Sequence, residues 1–206
     1  MTDAFADKAA AWDDNPVRVA VARAFFHAAL PLAGAAASGN VLDFGCGTGL
    51  LGLLFACAAR RVDMVDTSPA MAQVLRAKIA SQGLGNVAVH VGELTDLALP
   101  EASFDLVISL NALHHIADIP PVLAQLARLC APGAQVLLAD LMAEDGSFHG
   151  AETVQHNGFD PDALKPLLES CGLRVQSTLQ HHTIRKPDAA GAIRDYPQFL
   201  LHACKP

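Results

Sequence analysis

Short apolar runs alternate along the chain with segments in which apolar residues recur every three or four positions. The short runs are rich in Val, Leu and Ile, a composition typical of strands buried within a parallel sheet. The longer spacing, as at Met71, Leu75 and Ile79, predicts helices with one apolar face. The runs predict strands at 41–44, 62–65, 87–91, 104–109, 134–140, 173–179 and 198–204.

This alternation predicts an α/β fold with a doubly wound sheet, because parallel strands are joined by right-handed helical crossovers that cover both faces. The last two strands have no helical pattern between them, so we expect them to be antiparallel, with a loop from Arg185 to Asp195. An Ala-rich helix is predicted at 17–30, ahead of the first strand. No repeat or linker divides the 206 residues, which predicts a single domain over 1–206.

Composition and charge narrow the classes of function. Apolar residues make up 52% of the chain and charged residues 17%, which predicts a folded, soluble protein. The longest apolar run, near 49–59, is too short to cross a bilayer, and no signal segment precedes it, so we expect a cytoplasmic protein without a membrane partner. The net charge of -7, with scattered basic residues, argues against nucleic acid as a partner. Five cysteines without a C-x-x-C pair fit a reducing compartment, and the oligomeric state stays open.

A glycine-rich segment, VLDFGCGTGLLGL at 41–53, begins with the first predicted strand. Glycine loses more backbone entropy than other residues when it is ordered, so this cluster needs a geometric reason, such as backbone held close to a ligand. Ligands of doubly wound sheets bind beyond the carboxyl ends of the strands. Asp66 ends the second predicted strand, and its two oxygens suit the adjacent hydroxyls of a ribose. Together the loop and the acid predict an adenosine-containing ligand.

The identity of that ligand depends on two further positions. A dinucleotide site has the pattern G-x-G-x-x-G, but Leu50 stands where its third glycine would be. Asp43 precedes the first glycine by two residues; it would repel a pyrophosphate and attract an ammonium or sulfonium group. These charges favour S-adenosylmethionine. The alternatives are a nicotinamide cofactor, as in an oxidoreductase, and an Asp43 that only caps the turn.

The sequence resembles the class I S-adenosylmethionine-dependent methyltransferases over nearly its whole length. VLDFGCGTGLLGL is similar to the family's first motif, VDMVDTSPAM to its second-strand motif and CAPGAQVLLAD to its fifth-strand segment. The resemblance implies a Rossmann-like, three-layer αβα fold with a mostly parallel sheet of seven strands. The implied strand order is 3-2-1-4-5-7-6, with the last strand antiparallel. It also implies methyl transfer, for which the acidic charge and compact size favour a small-molecule acceptor.

The same resemblance implies roles for individual residues. Asp43 and the glycine loop would face the methionine part of the cofactor, and Asp66 would hold the ribose hydroxyls. Residues after the second and third strands would contact the adenine, although Met71 is as typical of a packed core as of an adenine platform. The implied cofactor-binding set is Asp43, Gly45, Cys46, Gly47, Gly49, Asp66, Thr67, Met71, Glu93, Leu94 and Asn111.

Histidines supply the candidate bases. His115 follows the fourth predicted strand, and His156 lies in an H-x-GF segment similar to one found in small-molecule methyltransferases; both are hypothesised to be catalytic. His114 and Trp12 are candidate substrate contacts, and Trp12 belongs to a predicted N-terminal lid at 1–30. Adjacent histidines without nearby cysteines predict no metal site. The opposing interpretations are histidines packed passively against the sheet, and a protein that binds the cofactor without catalysis.

Overall fold

A seven-stranded sheet forms the centre of the fold in the computed structural model, which describes residues 3, 5–150, 152–188 and 191–206. The strands are β1 Asn40–Phe44, β2 Arg61–Asp66, β3 Val87–Val91, β4 Phe104–Leu110, β5 Cys130–Leu141, β6 Arg174–Pro187 and β7 Ile193–Cys204. Their order is β3-β2-β1-β4-β5-β7-β6, with β7 antiparallel to both of its neighbours and the other pairs parallel. This confirms the predicted order and the predicted antiparallel strand.

Three of the five α-helices in the described residues begin at a side-chain cap. Ser68 Oγ accepts a hydrogen bond from the Met71 N–H at 3.1 Å, and Asp160 Oδ1 accepts one from the Asp162 N–H at 3.0 Å. A proline follows each cap, at the position where a helix needs no N–H donor. The helices are α1 Pro16–Ala33, α2 Gly52–Ala56, α3 Pro69–Gln82, α4 Ile119–Leu129 and α5 Pro161–Ser170, and short 3-10 segments span Ala9–Asp14, Gly34–Ser38 and Leu113–His115.

Helices cover both faces of the sheet. Successive side chains of a strand point to opposite faces, and the β1 neighbours Val41 and Leu42 accordingly belong to separate apolar clusters. Val41 shares its cluster with Phe25 of α1, whereas Leu42 shares the other cluster with Leu126 of α4 and Leu168 of α5. All five residues have 0% of their surface exposed. The arrangement confirms the three-layer αβα fold.

The last two strands form a longer hairpin than the sequence pattern predicted. We expected a loop from Arg185 to Asp195, but these two residues are register partners in β6 and β7. The strands continue because Ile184 and Tyr196, which are also partners, are buried with Val21 of α1 in a third apolar cluster. This packing brings the end of β6 to the cavity described below.

Within the described residues, one helical segment, Pro16–Ser38, is long and apolar enough to cross a membrane, with a mean hydropathy of 1.5. The sequence pattern predicted a helix at 17–30 but placed the longest apolar run at 49–59, because two arginines and a histidine interrupt the helical segment. The segment contains α1, whose Phe25 and Ala29 have no exposed surface where they pack on the sheet. A helix that covers a sheet meets the same criterion of length and composition, so the absence of a membrane partner stays a prediction.

The sheet reverses its winding between β1 and β4. The chain continues from β1 to β2 on one side, whereas β4 lies on the other side and leads to β5. The connections after β1 and β4 therefore leave the sheet in opposite directions, which opens a crevice at their carboxyl ends. Asp43 and the glycine loop line this crevice.

Truncation of a fully buried side chain of α1 is expected to destabilise the whole domain. Phe25→Ala should lower the free energy of unfolding by about 3–5 kcal/mol, because it removes a buried aromatic ring and leaves a cavity. Leu30→Ala, on the exposed side of the same helix, should change that free energy by less than about 0.5 kcal/mol. Chemical denaturation followed by circular dichroism measures both. Equal effects of the two substitutions would show that α1 does not belong to the core.

Candidate active site

A cavity of about 590 Å³ opens at the carboxyl ends of β1 to β4. Its volume lies within the range of natural small-molecule and cofactor sites. Most of the predicted site residues line it, and Gly49, Leu94 and His156 do not. Those that do are Trp12, Asp43, Gly45, Cys46, Gly47, Asp66, Thr67, Met71, Glu93, Asn111, His114 and His115.

Asp43 is the buried acid near the end of β1. Only 1% of its surface is exposed, and its Oδ2 atom has no hydrogen-bond partner among the described residues. Burial raises the pKa of Asp43 to about 7, and the nearby carboxylate of Asp66 adds to the rise. The backbone of Gly52 opposes this rise, but no cation among the described residues pairs with Asp43, so this acid is suited to a cationic group on a ligand.

The glycine loop after β1 turns tightly and brings backbone rather than side chains to the cavity. Gly45 has a φ of 70°, and a Cβ atom there would lie 2.2 Å from the Cβ atom of Ala112, so only glycine fits. The Gly45 N–H donates to the Val65 carbonyl at 2.9 Å, and the Gly47 N–H donates to Asp66 Oδ2 at 2.7 Å. These bonds fix the loop to the end of β2.

Gly49 and Leu94, which were predicted to bind the cofactor, do not line the cavity, and both make packing contacts. A Cβ atom on Gly49 would lie 2.5 Å from the Cδ1 atom of Leu75, so this glycine allows the loop to pack against α3. Leu94 is 1% exposed and belongs to the core on the α4 and α5 side of the sheet. Cys46 does line the cavity, and burial raises the pKa of its thiol well above the ordinary value, which keeps it uncharged.

The predicted ribose and adenine positions share one wall of the cavity. Asp66 accepts hydrogen bonds from the Ser68 N–H, at 2.8 Å, and from the glycine loop, and its remaining lone pairs are available to two hydroxyl groups. Burial raises the pKa of Asp66. Met71 lines the cavity although only 2% of it is exposed, so it belongs to both the core and the wall. Thr67 and Glu93 are exposed.

Asn111, just past β4, has a φ of 56°, a left-handed conformation that is uncommon outside glycine. Its Oδ1 atom accepts a hydrogen bond of 2.6 Å from Nε2 of the fully buried Gln198. The side-chain NH₂ group of Asn111 has no partner among the described residues and is available to donate to a ligand. Backbone outliers of this kind are typical of binding sites.

Residues 5–14 and the first turn of α1 line the cavity on its N-terminal side. The Trp12 ring stacks on the Arg18 guanidinium at 3.6 Å, and Phe5 packs edge-on against Trp12. Asp13 fixes this segment to the glycine loop and to α3 through hydrogen bonds of 2.5 and 2.6 Å.

The predicted lid at 1–30 therefore has two parts. Residues 5–14 contact the cavity, whereas most of α1 packs on the sheet. Residues 1, 2 and 4 of the predicted lid lie outside the described residues. That the segment opens and closes stays a prediction.

Three histidines, His114, His115 and His149, form a cluster on the wall beside β4 and β5. The ring centroid of His114 lies 4.1 Å from that of His115 and 4.9 Å from that of His149. Asp140, near the end of β5, accepts hydrogen bonds from His114 Nδ1 at 2.6 Å and from the His114 backbone N–H at 3.2 Å. We therefore assign the ring proton of His114 to Nδ1, which leaves Nε2 as an acceptor. That Nε2 atom is buried and has no partner among the described residues.

Two members of the histidine cluster are uncharged at neutral pH. Burial, followed by the neighbouring His114 and His149, lowers the pKa of His115 to about 4. Burial also lowers the pKa of His149, with His114 and Lys186 as further causes. His115 nevertheless remains exposed and lines the cavity. An uncharged, accessible imidazole is able to accept a proton. Across the described residues, no group of three or more His, Cys, Asp or Glu side chains is arranged to hold a metal ion.

His156 does not reach the cavity. Its Nε2 atom donates to the Ile116 carbonyl at 2.9 Å, and its backbone N–H donates to the His114 carbonyl at 3.1 Å. The neighbouring turn is tight, since a Cβ atom on Gly158 would lie 2.3 Å from the Met142 carbonyl oxygen. His156 thus supports the segment that carries the histidine cluster. Its ring is not placed to act as a base in the cavity, contrary to what the sequence had suggested.

Sequence reasoning missed four residues that belong to the site. Asp140 supports His114, and His149, Arg18 and Lys186 line the cavity. Asp140 carried a usable signal, because it is an acid at the carboxyl end of a predicted strand, as Asp43 and Asp66 are. The other three come from segments that only the folded chain brings to the cavity.

Known proteins with similar sequences are methyltransferases. The methyltransferase-domain family matches residues 41–133. The chain is 32% identical to the ubiquinone biosynthesis O-methyltransferase of Xanthomonas axonopodis pv. citri (strain 306), over 93% of this chain and 83% of that protein. It is 31% identical to the nocamycin O-methyltransferase of Saccharothrix syringae, over 75% of this chain and 57% of that protein. The chain spans 37–57% of the length of several curated relatives.

Solved structures share the fold. A crystal structure of an S-adenosylmethionine-dependent methyltransferase from Aquifex aeolicus superposes with a TM-score of 0.73 at 19% identity, over all of both chains. The YcgJ protein of Bacillus subtilis gives a TM-score of 0.73 at 18% identity, over 89% of this chain and 98% of that one. With the sequence relatives above, these findings show that the chain belongs to the class I S-adenosylmethionine-dependent methyltransferases.

The cofactor of this family fits the residues present. S-adenosylmethionine carries an ammonium and a sulfonium group, and the unpartnered Oδ2 atom of Asp43 offers a buried negative charge to such a ligand. Asp66 keeps acceptor capacity for ribose hydroxyls. The glycine loop presents bare backbone between these two acids, and nothing lies within 4 Å of the place where a Cβ atom on Gly47 would be.

Binding of S-adenosylhomocysteine is expected to depend on pH through Asp43. The pKa of Asp43 in the free protein is about 7, and an ammonium group beside it favours the ionised form, so binding should release a proton near this pH. Affinity should be greatest above about pH 8 and should fall by up to about tenfold per unit as the pH drops below 7. Calorimetry in buffers of different ionisation enthalpy measures both the affinity and the proton release.

The matched variants are Asp43→Asn and Asp96→Asn. The first should bind more weakly and lose the pH dependence, because it has no carboxyl group to ionise. The second changes an exposed acid outside the cavity and should behave as the wild type does. A wild-type affinity that stays constant between about pH 6 and 8 would contradict the role given to Asp43.

Proposed function

We propose that this chain transfers a methyl group from S-adenosylmethionine to a small molecule whose nucleophile carries a proton. One observation carries the proposal: the cofactor residues and the histidine cluster line the same cavity, which residues 5–14 border. A volume of about 590 Å³ suits a cofactor with a small acceptor. The names of two relatives support an oxygen nucleophile, since both are O-methyltransferases.

The cofactor end of the cavity would act by binding and orientation. When bound, S-adenosylmethionine supplies the methyl group on a positively charged sulfur. Asp43 would pair with the charge of the methionine part, Asp66 would accept from the ribose hydroxyls, and the NH₂ group of Asn111 would donate near the methionine part. Holding two reactants in line contributes up to about 7–11 kcal/mol toward lowering a reaction barrier, so this geometry accounts for much of the expected rate.

His115 is the residue that would accept the proton of the nucleophile. It is uncharged, exposed and part of the cavity wall. The negative charge of Asp140 favours a proton on His115 and partly offsets the effect of burial on its pKa. Asp140 also fixes the ring of His114, against which His115 packs. A well-placed base of this kind contributes about 10²–10⁴-fold to the rate.

The two other functions considered for this chain explain the site less well. A nicotinamide dinucleotide would place a pyrophosphate near Asp43, where a buried carboxylate repels it. A protein that only binds the cofactor has no use for the uncharged imidazoles of His115 and His149 in the cavity lining. His114 and His149 each keep a buried ring nitrogen without a partner among the described residues, which a passive packing role does not require.

A label-transfer experiment tests the proposed reaction. The purified protein is incubated with S-adenosylmethionine labelled in its methyl group and a cell extract, and ultrafiltration then separates small molecules from macromolecules. We expect the wild-type protein to transfer label to the small molecules. At a cofactor concentration that saturates only the wild type, the Asp66→Asn variant should transfer no label to them. Label confined to macromolecules, or no transfer by a protein that binds S-adenosylhomocysteine, would contradict the proposal.

Substitution of the candidate base should slow chemistry without weakening cofactor binding. With the acceptor identified by label transfer, His115→Gln should lower the single-turnover rate by about 10²–10⁴-fold, because Gln cannot accept the proton. His156→Gln serves as the comparison, since that ring lies outside the cavity. Affinity for S-adenosylhomocysteine should stay unchanged in both variants. A His115→Gln variant with the wild-type rate would exclude His115 as the base.

We also infer a cytoplasmic protein without nucleic-acid or membrane partners. The net charge of -7 supports the first absence, because a nucleic-acid site needs concentrated basic residues. The five cysteines are free, as in a reducing compartment. Fractionation of cells that express the tagged chain tests the location.

A further inference from the structure

Charged side chains are unevenly distributed around the cavity. Asp43 and Asp66 lie at the ends of β1 and β2, whereas Lys8, Arg18 and Lys186 come from the N-terminal segment, α1 and the end of β6. In the sheet order, β1 and β2 lie on one side and β6 forms the opposite edge. A cationic cofactor accounts for the carboxylates but leaves the three cations unexplained.

Arg18 is a cation without a carboxylate partner. Its guanidinium stacks on Trp12 at 3.6 Å, and its Nη1 atom donates to the Trp12 carbonyl at 3.4 Å. No carboxylate of the described residues forms an ion pair with it. Burial lowers the pKa of Arg18, and Glu152 opposes this effect from a distance. The aromatic contact fixes a partly desolvated positive charge at the cavity wall.

Lys186 has the same character. Its Nζ atom donates to the Phe148 carbonyl and lies 3.9 Å from the centroid of the Phe148 ring. Among the described residues, it too lacks an ion pair with a carboxylate. Burial lowers the pKa of Lys186, and repulsion from Arg18 lowers it further, so the two cations are close enough to interact.

The third cation is already neutralised. Lys8 pairs with Glu152 at 2.7 Å, and both side chains are substantially exposed, at 40% and 59%. Such a pair is weak and screened by water. Glu152 is also the main acid acting on Arg18 and Lys186. The three cations lie near two carboxylates, Glu152 and Glu144, so this side of the cavity keeps an excess of positive charge while His115 and His149 are uncharged.

We propose that the methyl acceptor carries an oxyanion that binds between Arg18 and Lys186. This inference rests on the proposed function, because it assumes that the cavity binds an acceptor. Partly desolvated cations without a carboxylate partner are unfavourable in the empty protein, and an oxyanion that pairs with both relieves this cost. The neighbouring wall is apolar, with Phe5, Trp12 and Ile184, and fits an aromatic or aliphatic body.

The oxyanion serves as the point of attachment rather than as the nucleophile. An oxygen paired with two cations is a poor nucleophile, because its electron density is already engaged. A carboxylate also carries no proton for His115 to accept. The acceptor therefore has two functional groups: an oxyanion held by Arg18 and Lys186, and a separate hydroxyl or amine that is methylated near the histidine cluster.

Ligand-observed NMR titration with benzoate and benzamide tests this assignment in protein saturated with S-adenosylhomocysteine. The two probes have nearly the same shape and differ in charge. Benzoate should bind at least about tenfold more tightly than benzamide to the wild type, since hydrogen bonds to charged groups are the stronger ones. Phenyl phosphate, run in parallel, distinguishes a preference for phosphate from one for carboxylate. Either preference supports the oxyanion site.

The variants Arg18→Met and Lys186→Met keep the apolar stem and remove the charge. Each should reduce the preference for benzoate by about tenfold, whereas Arg23→Met and Lys165→Met, at exposed positions outside the cavity, should retain it. Any of three results would overturn the inference. The wild type would bind benzoate and benzamide equally, or bind neither benzoate nor phenyl phosphate, or both cavity variants would keep the wild-type preference for benzoate. Failure to bind S-adenosylhomocysteine would instead refute the proposed function, and retained affinity for it shows that the variants are folded.

Discussion

A carboxylate buried near the end of β1, with no cationic partner among the described residues, is the constraint on which the rest of the site depends. Burial makes the charged form of Asp43 unfavourable, and the domain tolerates this because the surrounding core is extensive. The backbone around it is adapted to the acid. A Cβ atom on Gly52 would lie 2.5 Å from Asp43 Oδ2, so glycine at the start of α2 allows the helix to approach so closely. Gly47 of the loop, by contrast, leaves open space at the cavity.

Much of the fold was predictable from the sequence because its signals are local. Apolar runs set the strands, and Ser68 with the proline after it set the start of α3. The residues expected to bind the cofactor also carry local signals, because Asp43, the glycine loop and Asp66 lie next to predicted strand ends. Gly49 and Leu94 lie in the predicted segments, but they pack against neighbouring side chains and do not line the cavity.

Most of the cavity wall proposed to hold the methyl acceptor was not predictable from the sequence, because segments distant in the chain form it. The end of β6 reaches the cavity only because the hairpin extends past the predicted strands, where Ile184 and Tyr196 pack on α1. The partnership of His114 with Asp140 requires the parallel pairing of β4 and β5. For His156, a local motif suggested a catalytic role, whereas the ring lies outside the cavity lining and bonds to the Ile116 carbonyl.

The cavity thus joins two regions of opposite charge, with uncharged histidines beside them. Acids near the ends of β1 and β2 are suited to a cationic nucleoside, and cations from α1 and β6 are suited to an anionic acceptor. The central claim is that two carboxylates bind the nucleoside, and calorimetric titration of Asp43→Asn/Asp66→Asn with S-adenosylhomocysteine tests it most directly. We predict that the double variant, with an unchanged unfolding midpoint, loses at least about a hundredfold in affinity, as expected when two charge-assisted contacts are removed. An affinity equal to that of the wild type would contradict the account.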